Sequence, residues 1–161
     1  MELEFDVKIT SGILYDFLMH HAYSKMSNLI GNIVGAILLI GGLSYRNIGF
    51  IIAGAIILLY MPFAFLLKAK QQQLANPAFK KPLHYRLNEE GVFVSQNGEE
   101  QMQKWEDMYK AVSTQKSIVL YTSRINACIF PRKDLGTDIQ KLIEIISVNM
   151  EPKKVKIRGY L

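Results

Sequence analysis

The sequence predicts a membrane α+β protein in which a two-helix transmembrane hairpin is inserted into an antiparallel β-sheet or half-barrel, closed by a C-terminal amphipathic helix. Three observations carry this. Residues 28–45 and 48–67 contain no Asp, Glu, Lys, Arg or His, and only Arg46 and Asn47 separate them. Residues 2–10 alternate apolar and polar side chains without a break, and residues 83–130 form a series of short strand-like runs divided by turn signals. Beyond them, Leu135, Ile139, Leu142, Ile143 and Ile146 repeat at helical spacing.

The early strand places Leu3, Phe5, Val7 and Ile9 on one side and Glu2, Glu4, Asp6 and Lys8 on the other, the period of a half-buried strand. A lone strand is unstable in water, so it requires a sheet supplied by later residues. Ser11-Gly12 breaks the strand, and Ser11 is the expected N-cap of a short helix with Leu14, Phe17, Leu18 and His21 on one face.

The two apolar runs come next. At a rise of about 1.5 Å per residue they span roughly 27 and 30 Å, the thickness of a hydrocarbon core. Gly31 and Gly35 form a GxxxG step, Gly42 lies one heptad beyond, and Gly49 and Ala53 repeat the spacing in the second run. These five small residues are the expected helix-packing positions, either within the hairpin or between copies of the chain. Pro62 is expected to kink the second helix. The flanking charge is one-sided. Lys25 precedes the first helix and Lys68, Lys70, Lys80 and Lys81 follow the second, while the connection has only Arg46, so both termini are expected on the cytoplasmic side.

Residues 68–82 read as a basic linker ended by Pro82. In the strand region, Asn97-Gly98 signals a tight hairpin, because both central positions of a type I′ turn need positive φ. Breaks are expected at Glu89-Glu90-Gly91, Glu106-Asp107, Gln115-Lys116 and Ser123-Arg124, and Pro131 ends the last strand. The expected organisation is residues 1–25 joining the sheet, 26–67 the hairpin, 68–82 the linker, 83–150 the cytoplasmic domain and 151–161 a loose basic tail.

The order of these pieces resembles the YcxB-like family of bacterial membrane proteins. The likeness is carried by Ile9-Thr10 through His20-His21, the hairpin, YRLNEEGVFV, the single tryptophan in KWEDMYKAV, SIVLYTS and INACIFPRKDL. The resemblance implies a pleckstrin-homology-like (PH-like) domain, residence in the bacterial cytoplasmic membrane and no catalytic motif.

Charge and chemistry narrow the function classes. The net charge is +5, with sixteen Lys and Arg against ten acids in residues 68–161 and three against four before them. A basic domain tethered to a bilayer points to anionic lipid rather than nucleic acid. Lys68, Lys70, Lys80 and Lys81 are candidate lipid-headgroup contacts, with Lys153, Lys154, Lys156 and Arg158 of the tail as expected additions. Asp16 and His20 sit four apart on a helix, His21 is adjacent and Cys128 is the lone cysteine, but no metal-binding spacing joins them, and neither metal, cofactor nor enzymatic activity is expected. The expected function is a membrane-anchored binding, adaptor or regulatory module whose PH-like domain takes a protein partner or anionic lipid. The alternative is a small oligomeric transport or channel component.

Overall fold

The computed structural model describes residues 1–24 and 26–157, without the side chains of Ser27 and Asn28. Strand β1 (Leu3–Val7) leads into helix α1 (Ser11–Tyr23), then α2 (Met26–Ser44) and α3 (Ile48–Ala75). Strands β2 (Leu83–Leu87), β3 (Gly91–Gln96) and β4 (Glu99–Lys104) follow. After them come β5 (Lys110–Ser113), β6 (Ser117–Tyr121) and β7 (Ala127–Pro131). A short α4 (Arg132–Leu135), the longer α5 (Ile139–Asn149) and a two-residue β8 (Val155–Lys156) complete the chain.

The strands form two four-stranded sheets, ordered β1-β2-β3-β4 and β7-β6-β5-β8. The early strand therefore does find its sheet: β1 runs antiparallel to β2, with Leu3 opposite Leu87 and Val7 opposite Leu83. The core lies where the sheets face each other. Phe130 of β7 meets Tyr85 edge-on at 5.0 Å and Phe5 at 5.6 Å, while Phe5 and Tyr85 stack at 5.9 Å. Leu142, Ile145 and Ile146 of α5 are buried in the same cluster. Turn chemistry follows the sequence. Asn97 and Gly98 both have positive φ in the β3–β4 hairpin, whose register pairs Gln96 with Glu99. A Cβ on Gly91 would overlap the Gln103 carbonyl oxygen, so only glycine lets β3 and β4 close at that end.

Four local expectations are corrected. The cap of α1 is Thr10, whose hydroxyl accepts from the Ile13 N–H at 3.4 Å, rather than Ser11. Residues 68–75 are not linker: α3 continues to Ala75, because its last two turns bury Ala69 in the core. The C-terminal helix is broken by Gly136 (φ 53), which separates α4 from α5. The tail is not loose through residue 156, since β8 pairs in parallel with β5.

Helices α2 and α3 pack as an antiparallel pair. A Cβ on Gly42 would fall 2.6 Å from the Ile51 nitrogen, and one on Gly35 would fall 2.9 Å from Ile57 Cγ2. Gly54 is the third close approach, with the Leu39 nitrogen at 2.6 Å and the Gly35 carbonyl oxygen at 2.7 Å from its would-be Cβ. Gly31 faces open space and Gly49 meets only the Asn47 side chain that caps α3, so neither packs the two helices together. Ala53 is half-buried one position before Gly54. Gly35 lies at the contact between the helices, and its partner is set by the rotation of α3, which brings Gly54 inward.

Candidate functional site

The chemistry-bearing residues gather where α3 leaves its apolar stretch and meets α1 and the sheets. Gln73 Oε1 accepts the Ser11 N–H at 3.0 Å, tying the start of α1 to the end of α3. Asn76 caps both sides of the break: its N–H bonds to the Gln72 carbonyl, and its Oδ1 accepts the Ala78 N–H at 3.0 Å. Gln96 at the end of β3 then donates to the carbonyls of Ala78, Lys81 and Pro82 at 2.9, 3.1 and 3.2 Å. Residues 76–82 are thus held by hydrogen bonds to the domain.

Lys68 and Lys70 are exposed on α3, flanking the buried Ala69. Lys80 and Lys81 are exposed beyond it, and the Lys81 ammonium donates to Asn97 Oδ1 at 2.9 Å. Among the tail cations, Lys154 lies apart from Lys81. Lys154 lines a recess with Glu89, Glu90 and Trp105, at the end of β2 and β3 opposite Lys81 and Asn97. A five-residue strand separates the two ends by about 16 Å. Lys153 lies 2.7 Å from Glu151 and Lys154 3.9 Å. The Lys153 hydrogen bond, reinforced by both positive charges, holds the Glu151 carboxyl below its ordinary range, and the same bond raises Lys153. Lys156 is exposed on β8, and Arg158 lies outside the described residues, as does Lys25. Pairing with Glu151 holds Lys153 and Lys154 beside the Glu89-Glu90 end of the domain, away from Lys81.

Two recesses adjoin α1. The larger, about 590 Å³, lies between α1, the end of α3 and β7, lined by Leu14, Phe17, Phe79, Ile125 and Ile129 among others. The smaller, about 340 Å³, lies between α1 and the β5–β6 turn and contains Tyr15, Asp16, His20, Tyr23 and Lys116. The sequence singled out Asp16 and His20 by their spacing, but the approach of Lys116 depends on how α1 sits on sheet β7-β6-β5-β8. Asp16 Oδ2 accepts the Lys116 backbone N–H at 3.2 Å. His21 turns instead to the sheet, its Nδ1 3.3 Å from the Tyr121 hydroxyl, and burial pushes the Tyr121 phenol up. Cys128 is buried against Tyr85. Desolvation raises its thiol to about 11 while the Tyr85 hydrogen bond opposes that rise, so it is protonated at neutral pH. Desolvation, followed by the thiol, raises the Tyr85 phenol in turn.

These features define an α+β protein with, among the described residues, one helix, Ile48–Ala75, long and apolar enough to cross a membrane. Residues 87–146, from the end of β2 into α5, match the family model described as YcxB-like protein. No curated protein and no solved structure matches the chain.

Proposed function

We propose that this is a two-span protein of the bacterial cytoplasmic membrane, with both termini cytoplasmic, that presents a PH-like domain as a binding or adaptor module. The observation that carries the reading is the unburied apolar surface of both helices. Ile37, Ile40, Ile56 and Leu59 are each more than 60% exposed, with Ile30, Ile33, Leu43 and Phe63 continuing the belt. A water-soluble monomer rarely shows a contiguous apolar patch beyond a few hundred Å², roughly. In a bilayer the same surface costs nothing, and the hairpin satisfies its backbone internally.

With Leu67 at the hydrocarbon boundary, Lys68 and Lys70 follow within about 5 Å along the helix, at headgroup height. Each cation there contributes about 1 kcal/mol of attraction to an anionic leaflet. The PH-like reading rests on two packed, mostly antiparallel sheets followed by a helix. A binding role is favoured over transport because the apolar spans carry no acidic, lysine or histidine side chain to form an ion path.

The test is affinity capture of the full-length chain from native membranes in mild detergent, with proteins and lipids both identified. A stoichiometric protein partner, or anionic lipid lost when Lys68 and Lys70 are replaced by Gln, supports the module. Recovery of copies of this chain alone, with lipid unchanged by those substitutions, would favour an oligomeric transport component.

A further inference from the structure

The geometry points to a second lipid site, for a zwitterionic headgroup bearing a primary ammonium, in the recess between α1 and the β5–β6 turn. The inference rests on the membrane reading above. The recess holds about 340 Å³, within the usual span of roughly 300–1,000 Å³ for small-ligand sites. Its two formal charges are opposite and lie along α1. The Lys116 ammonium is 3.8 Å from where a Gly12 Cβ would stand, at the first turn. The Asp16 carboxylate lies one turn further on, followed by His20 and Tyr23.

Only one Asp16 oxygen is occupied. Oδ2 takes the Lys116 N–H, while Oδ1 accepts no hydrogen bond among the described residues. An incoming primary ammonium can donate to Oδ1 and lie against the Tyr15 and Tyr23 rings, as cations do over aromatic faces. A quaternary ammonium has no N–H for Oδ1. Lys116 supplies the counterpart for a phosphate. A recess whose fixed charges sum to zero disfavours a purely anionic ligand, which is better served by Lys68 and Lys70. Ser11 bonds to Gln73, six residues past Leu67 and so about 9 Å along the helix from the hydrocarbon boundary. Helix α1 runs from there back toward α2, so the Asp16 end of the recess lies within a headgroup layer about 5–8 Å deep and the Lys116 end just beyond it.

The full-length chain, purified in mild detergent, would be mixed with equal amounts of ethanolamine, choline and anionic glycerol phospholipids, and retained lipid counted by native mass spectrometry. One ethanolamine lipid should persist per chain. It should fall at least fivefold in Asp16→Asn, which preserves an oxygen for the Lys116 N–H, and fall similarly in Lys116→Gln, with anionic lipid unchanged in both. Equal retention of the choline lipid, or loss in only one variant, would overturn a two-ended zwitterion site. Resistance to millimolar soluble phosphoethanolamine supports a membrane-lipid ligand, and full displacement by it overturns that source. Alkaline carbonate washing separates the two readings. Release of the chain from membranes sinks the membrane assignment itself, whereas a retained chain whose Asp16→Asn variant keeps the lipid sinks only this site.

Discussion

Truncating Phe5 and Phe130, alone and together, tests whether β1 and β7 share one core although about 125 residues of chain, including α2 and α3, lie between them. Phe130 is fully buried and Phe5 packs edge-on against it at 5.6 Å. Removing a buried Phe costs about 3–5 kcal/mol, so Phe130→Ala should lose about 4 kcal/mol. The half-buried Phe5 should lose less, about 2 kcal/mol. Their contact is worth about 0.5–1.5 kcal/mol beyond area burial, and the double variant should cost less than the sum of the singles by about that amount. Trp105 is the only tryptophan and is buried with its indole N–H on the Asn88 carbonyl at 2.8 Å, so its fluorescence reports unfolding directly. With a urea dependence of about 2 kcal/mol per molar, Phe130→Ala should lower the midpoint by about 2 M in the full-length chain in mild detergent. Strict additivity of the two substitutions, with coupling below about 0.3 kcal/mol, would refute the shared core.

Other perturbations separate local causes. Gly54→Ala drives a Cβ into the backbone of α2 at Leu39 and should destabilise the helix pair by about 1–3 kcal/mol, whereas Gly41→Ala, which meets open space, should cost nothing; unfolding in mixed detergent micelles compares them. Cys128 should resist maleimide at pH 7 in the folded chain and label once urea unfolds it; rapid native labelling would contradict its burial. Because folding raises the thiol from about 9 to about 11, its contribution is complete below pH 9 and is lost between pH 9 and 11, a decline of roughly 2–3 kcal/mol that Cys128→Ala should reduce. Gly98→Val forces a β-branched residue to φ 87 at the β3–β4 turn and should cost about 1–2 kcal/mol by urea titration, while the strands themselves persist by circular dichroism.

Local patterns were legible where one residue type dictates one geometry. Alternation gave β1 its face, Asn97-Gly98 gave its hairpin, and the lack of charge within residues 28–45 and 48–67 marked both long helices. What escaped depends on distance in space. Nothing local shows that Lys68 begins a stretch of helix held by Ala69, nor that Gln96 reaches back to Ala78 and Lys81. Val155 and Lys156 are too short a run to announce a strand and become one only because β5 offers an open edge. The same holds for charge. Eight cations read as one basic set in sequence, but Glu151 holds Lys153 and Lys154 at the opposite end from Lys81. Gly54 was missed because a spacing rule counts along one helix and does not know which face its neighbour takes.

The pairing of Leu3 with Leu87 sets a timetable for synthesis. At about 5–20 residues per second, the first strand leaves the ribosome roughly 4–17 s before its partner exists, with Leu3, Phe5 and Val7 uncovered throughout. The excursion through α2 and α3 shortens that separation in space, because a helix that goes out and one that comes back return the chain to where it left. The domain is therefore sewn shut by its second half around an interruption already completed, and a nascent chain stalled before Leu83 would hold an orphan strand and an unfinished sheet.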